Sequence, residues 1–475
     1  MGKLRFTIAL LLGKLAEWIL RTFVGRGTNK PGSLMLHLCP DALGRFQLPK
    51  LTICVTGTNG KTSTSNLITH ILRENGLQVV NNSKGSNMAP GLVSALIPAA
   101  HLNGEIQADA AVLEVDERSS QYIYKYFTPK LLVCTNLFRD SIKRNGHSEF
   151  IFDKINDFLP AETTLLLNGN DAISGMLGDG VNERVFYAVD RTSESTETCP
   201  NTVCDAIACP RCGHRLKYLF YHYHHIGAPE CPACGFRLPS PTYTATNVDF
   251  TNSTFTFREL DGGEVQLPFT AGNLFNVFNV TAAAAACRMA NVPLAQIAAT
   301  VDSLTARTGR FEETRAGDRT VVTMLSKNQN PISVSQSLQY LRRISGPKDV
   351  VLIITDSKDR VHGPEDISWL YDTDFDMLAD PSVGTVLIGG TRCSDVALRL
   401  TLAGVDEQKL RLYPDYNTLA HEIAAQTNPS GTTVICFELY AMPIAERLRR
   451  ALTEAAVNPA SAASAQDQPE GSNEK

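Results

Sequence analysis

Between residue 51 and about residue 190, short apolar runs alternate with stretches whose apolar positions recur every three or four residues. LTICV reads as a strand, and SNLITHILREN reads as a helix with Leu67, Ile68, Ile71 and Leu72 on one face. QVVNN, a helix around 90–99, AAVLEVD, LLVCTN, TTLLLNGND and VFYAV continue the alternation. Continuously apolar strands between helices predict a mostly parallel sheet covered on both faces. The rhythm breaks over 191–250 and returns over 270–300 as an alanine-rich helix. A further α/β unit follows, with DVVLIITD, VGTVLIGG and TTVICFE as buried strands. From about 456 the chain is rich in Ala, Ser, Pro, Gln and Glu and reads as a disordered tail.

At the start of the chain, Phe6, Ile8, Leu10, Leu11, Leu15, Trp18, Ile19 and Phe23 recur mostly on one side of a predicted helix. The run is too short and too interrupted by charge to span a bilayer, and no small-residue cleavage pattern follows it. Two placements stay open: a helix packed on the first domain, or a surface helix meeting membrane lipid through Lys3, Arg5, Lys14, Arg21 and Arg26. Either places the protein on the cytoplasmic side, in the second case at the inner face of the membrane. A turn-rich entry segment with Gly25, Gly27, Pro31 and Gly32 completes residues 1–50.

The most informative stretch is ICVTGTNGKTST at 53–64, where a β-branched strand enters a glycine-rich turn and then a helix. This order gathers backbone N–H groups and an ammonium at a helix N-terminus, which suits nucleotide phosphates. Gly57 and Gly60 let the backbone turn tightly, with Thr58 and Asn59 between them. Lys61 reaches the outer phosphates, and Thr62, followed by Ser63, supplies a hydroxyl for magnesium. Val55 stands where a full GxxxxGK would have glycine, so the motif is a compressed GTNGKT. The expected ligand is ATP.

In parallel sheets, ligands bind beyond the carboxyl ends of strands. After AAVLEV the candidates are Glu114, Asp116 and Glu117, and a carboxylate here can hold magnesium. Strand alternation separates Glu114 from Glu117, but a bend at the strand end would leave the choice open. After LLVC come Asn136, a candidate to orient a ligand, and Arg139 and Asp140. Asn273 and Asn276 either cap the alanine-rich helix or reach a nucleotide base.

Twelve cysteines fall into two groups of six, one scattered and one clustered over 199–234, where Cys199 and Cys204 read as ordinary loop thiols. Six lie scattered in apolar surroundings and read as reduced core residues. Cys209-Pro-Arg-Cys212-Gly and Cys231-Pro-Ala-Cys234-Gly form two matching knuckles with 18 residues between the inner cysteines. Four thiolates in two tight turns match a closed, structural zinc site. The ribbon, over about 199–245, reads as an insertion in the nucleotide-binding domain, with His214, His222, His224 and His225 on its surface or in a nearby pocket. With 475 residues, 43% hydrophobic content and a net charge of −5, the chain has the composition of a multi-domain enzyme with no basic excess for nucleic acid.

GTNGKTS, LEVDE, TNLFRD, GNLFNVFNVTAA and TGRFE together resemble the Mur ligases, which join amino acids to peptidoglycan precursors. The four-cysteine ribbon, RGTNKPG and DISWLYDTDFD are similar to the MurT-type branch of that family. The resemblance runs from about residue 20 to 455. It implies a central P-loop ATPase domain over 51–314 carrying the zinc ribbon, then a Rossmann-like α/β domain over 315–455. It also adds Arg310 of TGRFE to the nucleotide-binding set. The implied activity is ATP-dependent amidation of the D-glutamate α-carboxylate of lipid II to D-isoglutamine. Ammonia would come from a GatD-like glutaminase subunit in a heterodimer, with Asp366 completing the partner's triad and Asp356, Asp372 and Asp374 as reserves. The alternative is a conventional Mur ligase that adds an amino acid.

Overall fold

The structure is a computed structural model that describes residues 2–23, 29–83, 86–140, 146–270, 273–305, 311–327, 329–354 and 367–457. The chain divides into two compact units, one of Met1–Arg139 with Asn145–Thr308 and one of Asp140–Arg144 with Gly309–Lys475.

In the first unit, strands β1 (Leu51–Thr56), β2 (Val79–Asn81), β3 (Ala110–Glu114), β4 (Leu131–Cys134), β5 (Thr164–Asn168) and β6 (Arg184–Val189) pair in parallel. Between and before them run helices α1 (Gly2–Phe23), α2 (Lys30–Leu38), α3 (Lys61–Glu74), α4 (Ala89–Leu96), α5 (Ser120–Ile123) and α6 (Ser148–Asn156). A hairpin of β7 (Lys217–Tyr223) and β8 (Ile226–Glu230) stands apart from the sheet. The sheet is then extended by β9 (Tyr243–Asp249), β10 (Thr254–Glu259) and β11 (Glu264–Pro268). Its order is β11-β10-β9-β6-β5-β4-β1-β3-β2, so β1 lies between β3 and β4. That is where the strand order reverses, and there the carboxyl ends of parallel strands open a crevice. Helices α7 (Leu274–Met289) and α8 (Leu294–Thr305) complete the unit, α7 packing against α3, β6 and β9. The antiparallel β10–β11 extension was not among the expected elements, although FTF in β10 alternates as a strand with one buried face should, both phenylalanines being buried.

The second unit holds β12 (Phe311–Ala316), β13 (Arg319–Ser326), α9 (Pro331–Tyr340), β14 (Lys348–Ile353), β15 (Val383–Gly389), α10 (Cys393–Leu402), β16 (Leu410–Tyr413), α11 (Tyr416–Gln426), β17 (Thr432–Glu438) and α12 (Met442–Val457). Its sheet order is β12-β13-β17-β14-β15-β16, parallel except for β12. Successive residues of β14 feed opposite cores: Val350 and Leu352 join one cluster with Trp369, while Val351 and Ile353 join another with Leu419 and Leu448. Burial on both faces explains the unbroken apolar runs.

In helix α1 six of the eight apolar residues named from the sequence share one side, and it is the exposed side. Phe6 and Leu10, with Ala9 and Gly13, are buried, whereas Ile8, Leu11, Leu15, Trp18, Ile19 and Phe23 are exposed. No described helix is long and apolar enough to cross a membrane.

Candidate functional site

The turn after β1 is built on two glycines with positive φ, Gly57 at 123° and Gly60 at 87°. A Cβ on Gly57 would stand 2.2 Å from Thr135 Oγ1, and one on Gly60 would stand 2.2 Å from Asn279 Oδ1. Any side chain there is excluded by both space and backbone conformation. The end of β4 clamps the turn from outside. Asn136 O accepts from Thr58 N at 2.8 Å, and Asn136 Oδ1 accepts from Asn59 N at 3.0 Å. Asn136 Nδ2 and Thr135 Oγ1 both donate to Asn59 O, at 3.1 and 2.7 Å. Asn136 thus spends its amide on the loop backbone and orients the turn. Helix α3 begins after Gly60 with no side-chain cap. The N–H groups of a helix's first turn point out of its end, so this end is placed to cradle an anion.

Two carboxylates converge on this cradle. Glu114, the last residue of β3, accepts from Thr62 Oγ1 at 2.8 Å and from Asn87 Nδ2 at 3.2 Å. Asn82 fixes the strand end by bonding both backbone groups of Glu114. Asp116 then caps a short 3-10 turn, Glu117–Ser119, which breaks the strand alternation. That bend carries Glu117 inward to Lys61, where Nζ and Oε1 lie 2.8 Å apart and both side chains are buried. Lys61 Nζ also donates to Gly57 O. Burial alone would lower the lysine pKa, but the Glu117 carboxylate, aided by Glu114 and Asp116, holds it above the usual value. The ammonium therefore stays charged in a dry site.

Asn273 caps α7 by accepting from Phe275 N at 3.0 Å, and Asn276 Nδ2 donates to Thr270 O at 2.8 Å. The asparagine that reaches the turn is Asn279, over Gly60 and 3.5 Å from Thr64 Oγ1. Its place three residues beyond Asn276 was the available signal. Asn82 and Asn87 were also missed. His147 caps α6 at the surface, and Asp140 belongs to the second unit, paired with Lys327 at 2.6 Å. Arg310, Asp356 and Asp366 lie outside the described residues. Of the reserves, Asp372 ends the 3-10 turn Ser368–Asp372, and Asp374 is buried with its N–H donating to Ser335 Oγ at 3.0 Å.

The four knuckle cysteines gather as expected. Their sulfurs lie within 4.8 Å of one another, with Cys209–Cys234 at 3.6 Å and Cys212–Cys231 at 3.5 Å. A tetrahedral site with metal–sulfur bonds of about 2.3 Å has edges near 3.8 Å, so the thiols fit a closed metal site. Gly213 and Gly235 close the knuckles with φ of 72° and 73°, their N–H groups donating to Cys209 O and Cys231 O.

Of the four histidines expected on the ribbon surface or in a nearby pocket, His214 is exposed, whereas His222, His224 and His225 are buried in and beside the turn of the β7–β8 hairpin. His222 Nδ1 lies 3.1 Å from Ser195 Oγ, and burial pushes its pKa down to about 4, so it is neutral at pH 7. His225 Nε2 lies 3.3 Å from Asp171 Oδ1, and Asp171 Oδ2 accepts from Leu137 N at 2.9 Å. Burial would raise the pKa of Asp171, but the His225 contact and the N–H donors hold it below the usual value. These contacts run from the hairpin turn to the strand end that clamps the nucleotide-binding turn.

The cradle makes a direct prediction. Gly60→Ala should weaken ATP binding at least about tenfold in calorimetric titration, since the methyl collides with Asn279 and the turn disfavours L residues by roughly 1–2 kcal/mol. Unchanged affinity would mean that this turn does not touch the nucleotide.

Residues 55–198 match the family model of the Mur ligase middle domain, and residues 325–442 match that of the MurT ligase C-terminal domain. The MurT subunit of the glutamine-hydrolysing lipid II isoglutaminyl synthase of Staphylococcus aureus (strain N315) is 30% identical over 401 residues, 84% of this chain and 88% of that protein. Its Streptococcus pneumoniae counterpart is 31% identical over 411 residues, 86% of this chain and 89% of that protein. Among solved structures, a pseudomurein peptide ligase type C from Methanothermus fervidus superposes with a TM-score of 0.66 at 20% identity, covering 87% of this chain and 81% of that one. MurF from Acinetobacter baumannii gives 0.60 at 16%, covering 89% and 80%. At these identities the two structures speak for the fold alone.

Proposed function

Because the chain belongs to the MurT family of Mur ligases, we propose that it amidates the D-glutamate α-carboxylate of lipid II to D-isoglutamine, using ATP and ammonia from a GatD-like glutaminase subunit. The observation that carries the reading is the uncapped α3 N-terminus with a buried, charged Lys61 beside it, together with relatives whose names state this synthase.

A carboxylate resists attack because its charge repels nucleophiles and oxide is a poor leaving group. In the proposed reaction a carboxylate oxygen attacks the γ-phosphorus and ADP departs, leaving an acyl phosphate. Neutral ammonia then attacks the acyl carbon, orthophosphate leaves, and the nitrogen loses a proton to give the amide. Lys61 and the α3 N–H groups meet the charge that develops on the phosphoryl oxygens. Glu117 keeps Lys61 protonated and in place before the nucleotide arrives. The Thr62 hydroxyl and the Glu114 carboxylate, in contact at 2.8 Å, are an oxygen donor pair suited to magnesium, with Glu117 as the further candidate. Magnesium would supply charge neutralisation between the outer phosphates. Arg310, Asn273 and Asn276 remain proposed nucleotide contacts, alongside Asn279. Zinc is the proposed metal for the four cysteines. With all corners filled by sulfur it has no catalytic opening.

The test is a mass-resolved assay on lipid II with ATP, glutamine and the glutaminase. The expected product carries NH2 in place of OH; a product heavier by an amino-acid residue would replace this reading with conventional ligation. Asp366→Asn, if Asp366 completes the glutaminase triad, should lower glutamine-dependent amidation by on the order of 10³-fold and spare amidation driven by ammonium salts.

A further inference from the structure

Helix α1 is apolar on two opposite sides. One side, Phe6, Ala9, Leu10 and Gly13, is buried, the helix packing on α2 and on the short turn Ile97–Ala99. The other side carries Leu4, Ile8, Leu11, Leu15, Trp18 and Ile19, which lie within about 50° of one direction on a helical wheel of 3.6 residues per turn. All six are exposed, Leu4 by 67% and Trp18 by 58%. A ridge of this kind along a helix about 33 Å long is costly to leave in water.

Its rims are basic. Lys3, Lys14 and Arg21 line one edge and Arg5 the other, against a single acid, Glu17, which turns toward the buried side. Two of these cations also donate to the protein's own backbone, Arg5 Nε to Leu38 O at 2.5 Å and Lys14 Nζ to Pro98 O at 3.4 Å. The chain as a whole is acidic, at −5, so the patch runs against the overall charge.

We propose that α1 is an interfacial anchor that lies flat on an anionic lipid bilayer, its ridge in the acyl boundary and its basic rims among phosphate headgroups. The five charges bar it from spanning, and the fixed inner face sets how the first unit meets the surface. A second copy of the chain is the poorer occupant, since pairing two ridges would bring basic rims together. The inference rests on α1 alone and is independent of the amidation reading.

Vesicle sedimentation of the full-length chain tests it. Binding is expected to vesicles of equal parts phosphatidylglycerol and phosphatidylcholine, weaker binding to phosphatidylcholine alone, and weakening with added salt. The chain has two tryptophans, and Trp369 is buried, so a blue shift of emission on vesicle addition reports Trp18. Leu11→Gln, Leu15→Gln and Trp18→Gln together should lower partitioning at least about tenfold without changing the melting temperature, because all three point outward. Lys3→Gln with Arg21→Gln should weaken binding to anionic vesicles alone. The proposal is overturned if the wild-type chain stays in the supernatant or the triple variant binds equally well. It is also overturned if the ridge proves to be a dimer contact, with ultracentrifugation finding a dimer that the triple variant dissociates and no vesicle binding.

Discussion

Lys61→Met is expected to lower ATP-dependent turnover by roughly 10²–10³-fold, the usual cost of removing a donor aimed at developing charge. The same substitution strands a buried carboxylate, because Glu117 loses its ion-pair partner at 2.8 Å. Breaking a buried pair from one side costs about 3–5 kcal/mol, so the single variant should also melt earlier. Pairing it with Glu117→Gln removes the unpaired charge and should recover much of the melting temperature while turnover stays lost. Calorimetric melts and phosphate release on the two variants read the two effects separately. If the double variant regained turnover along with stability, Lys61 would be a structural lysine and the phosphoryl-transfer assignment would fall.

The ribbon carries the second large effect. Metal analysis of reduced protein should find one zinc per chain, and Cys209→Ser with Cys231→Ser should abolish it. A structural tetrathiolate site contributes on the order of 10 kcal/mol to folding its own small domain. Among the described residues the buried core under the knuckles is small, Ala172, Ala206, Cys209, Leu216, Cys231 and Phe236, with Ile173, Met176, Tyr218 and Leu238 partly buried against it. Hydrogen exchange should therefore lose protection through β7 and β8 in the variant, with β1 and β4 still protected. Through His225, Asp171 and Leu137 the loss should reach the clamp on the turn and weaken ATP binding as well. Full protection of the hairpin in a metal-free variant would refute the metal's structural role.

Local chemistry was readable in the chain because its parts are close in sequence. The strand, turn and helix of residues 51–74 need only the two glycines, Lys61 and a periodic helix, all within one supersecondary unit. The two knuckles announced themselves by repetition, and four thiols at that spacing have few other arrangements. Buried parallel strands such as β14 betrayed themselves by apolar runs that feed two cores.

Tertiary structure decided what depends on contacts between distant segments. The convergence of Glu114 and Glu117 required the 3-10 turn capped by Asp116, which period-two alternation does not contain. Asn279 reaches Gly60 across 219 positions of chain because α7 packs on α3; its spacing from Asn276 marks a shared helix face but not what that face meets. His222, His224 and His225 look polar in sequence, yet the hairpin drives them into the interior, where Asp171 and Ser195 receive two of them. The apolar positions of α1 likewise read as one amphipathic pattern, and only packing on α2 divides them into a buried side and a bare ridge. Sequence fixes a segment's own conformation through propensity and period; which of its faces meets which neighbour is set by the rest of the molecule.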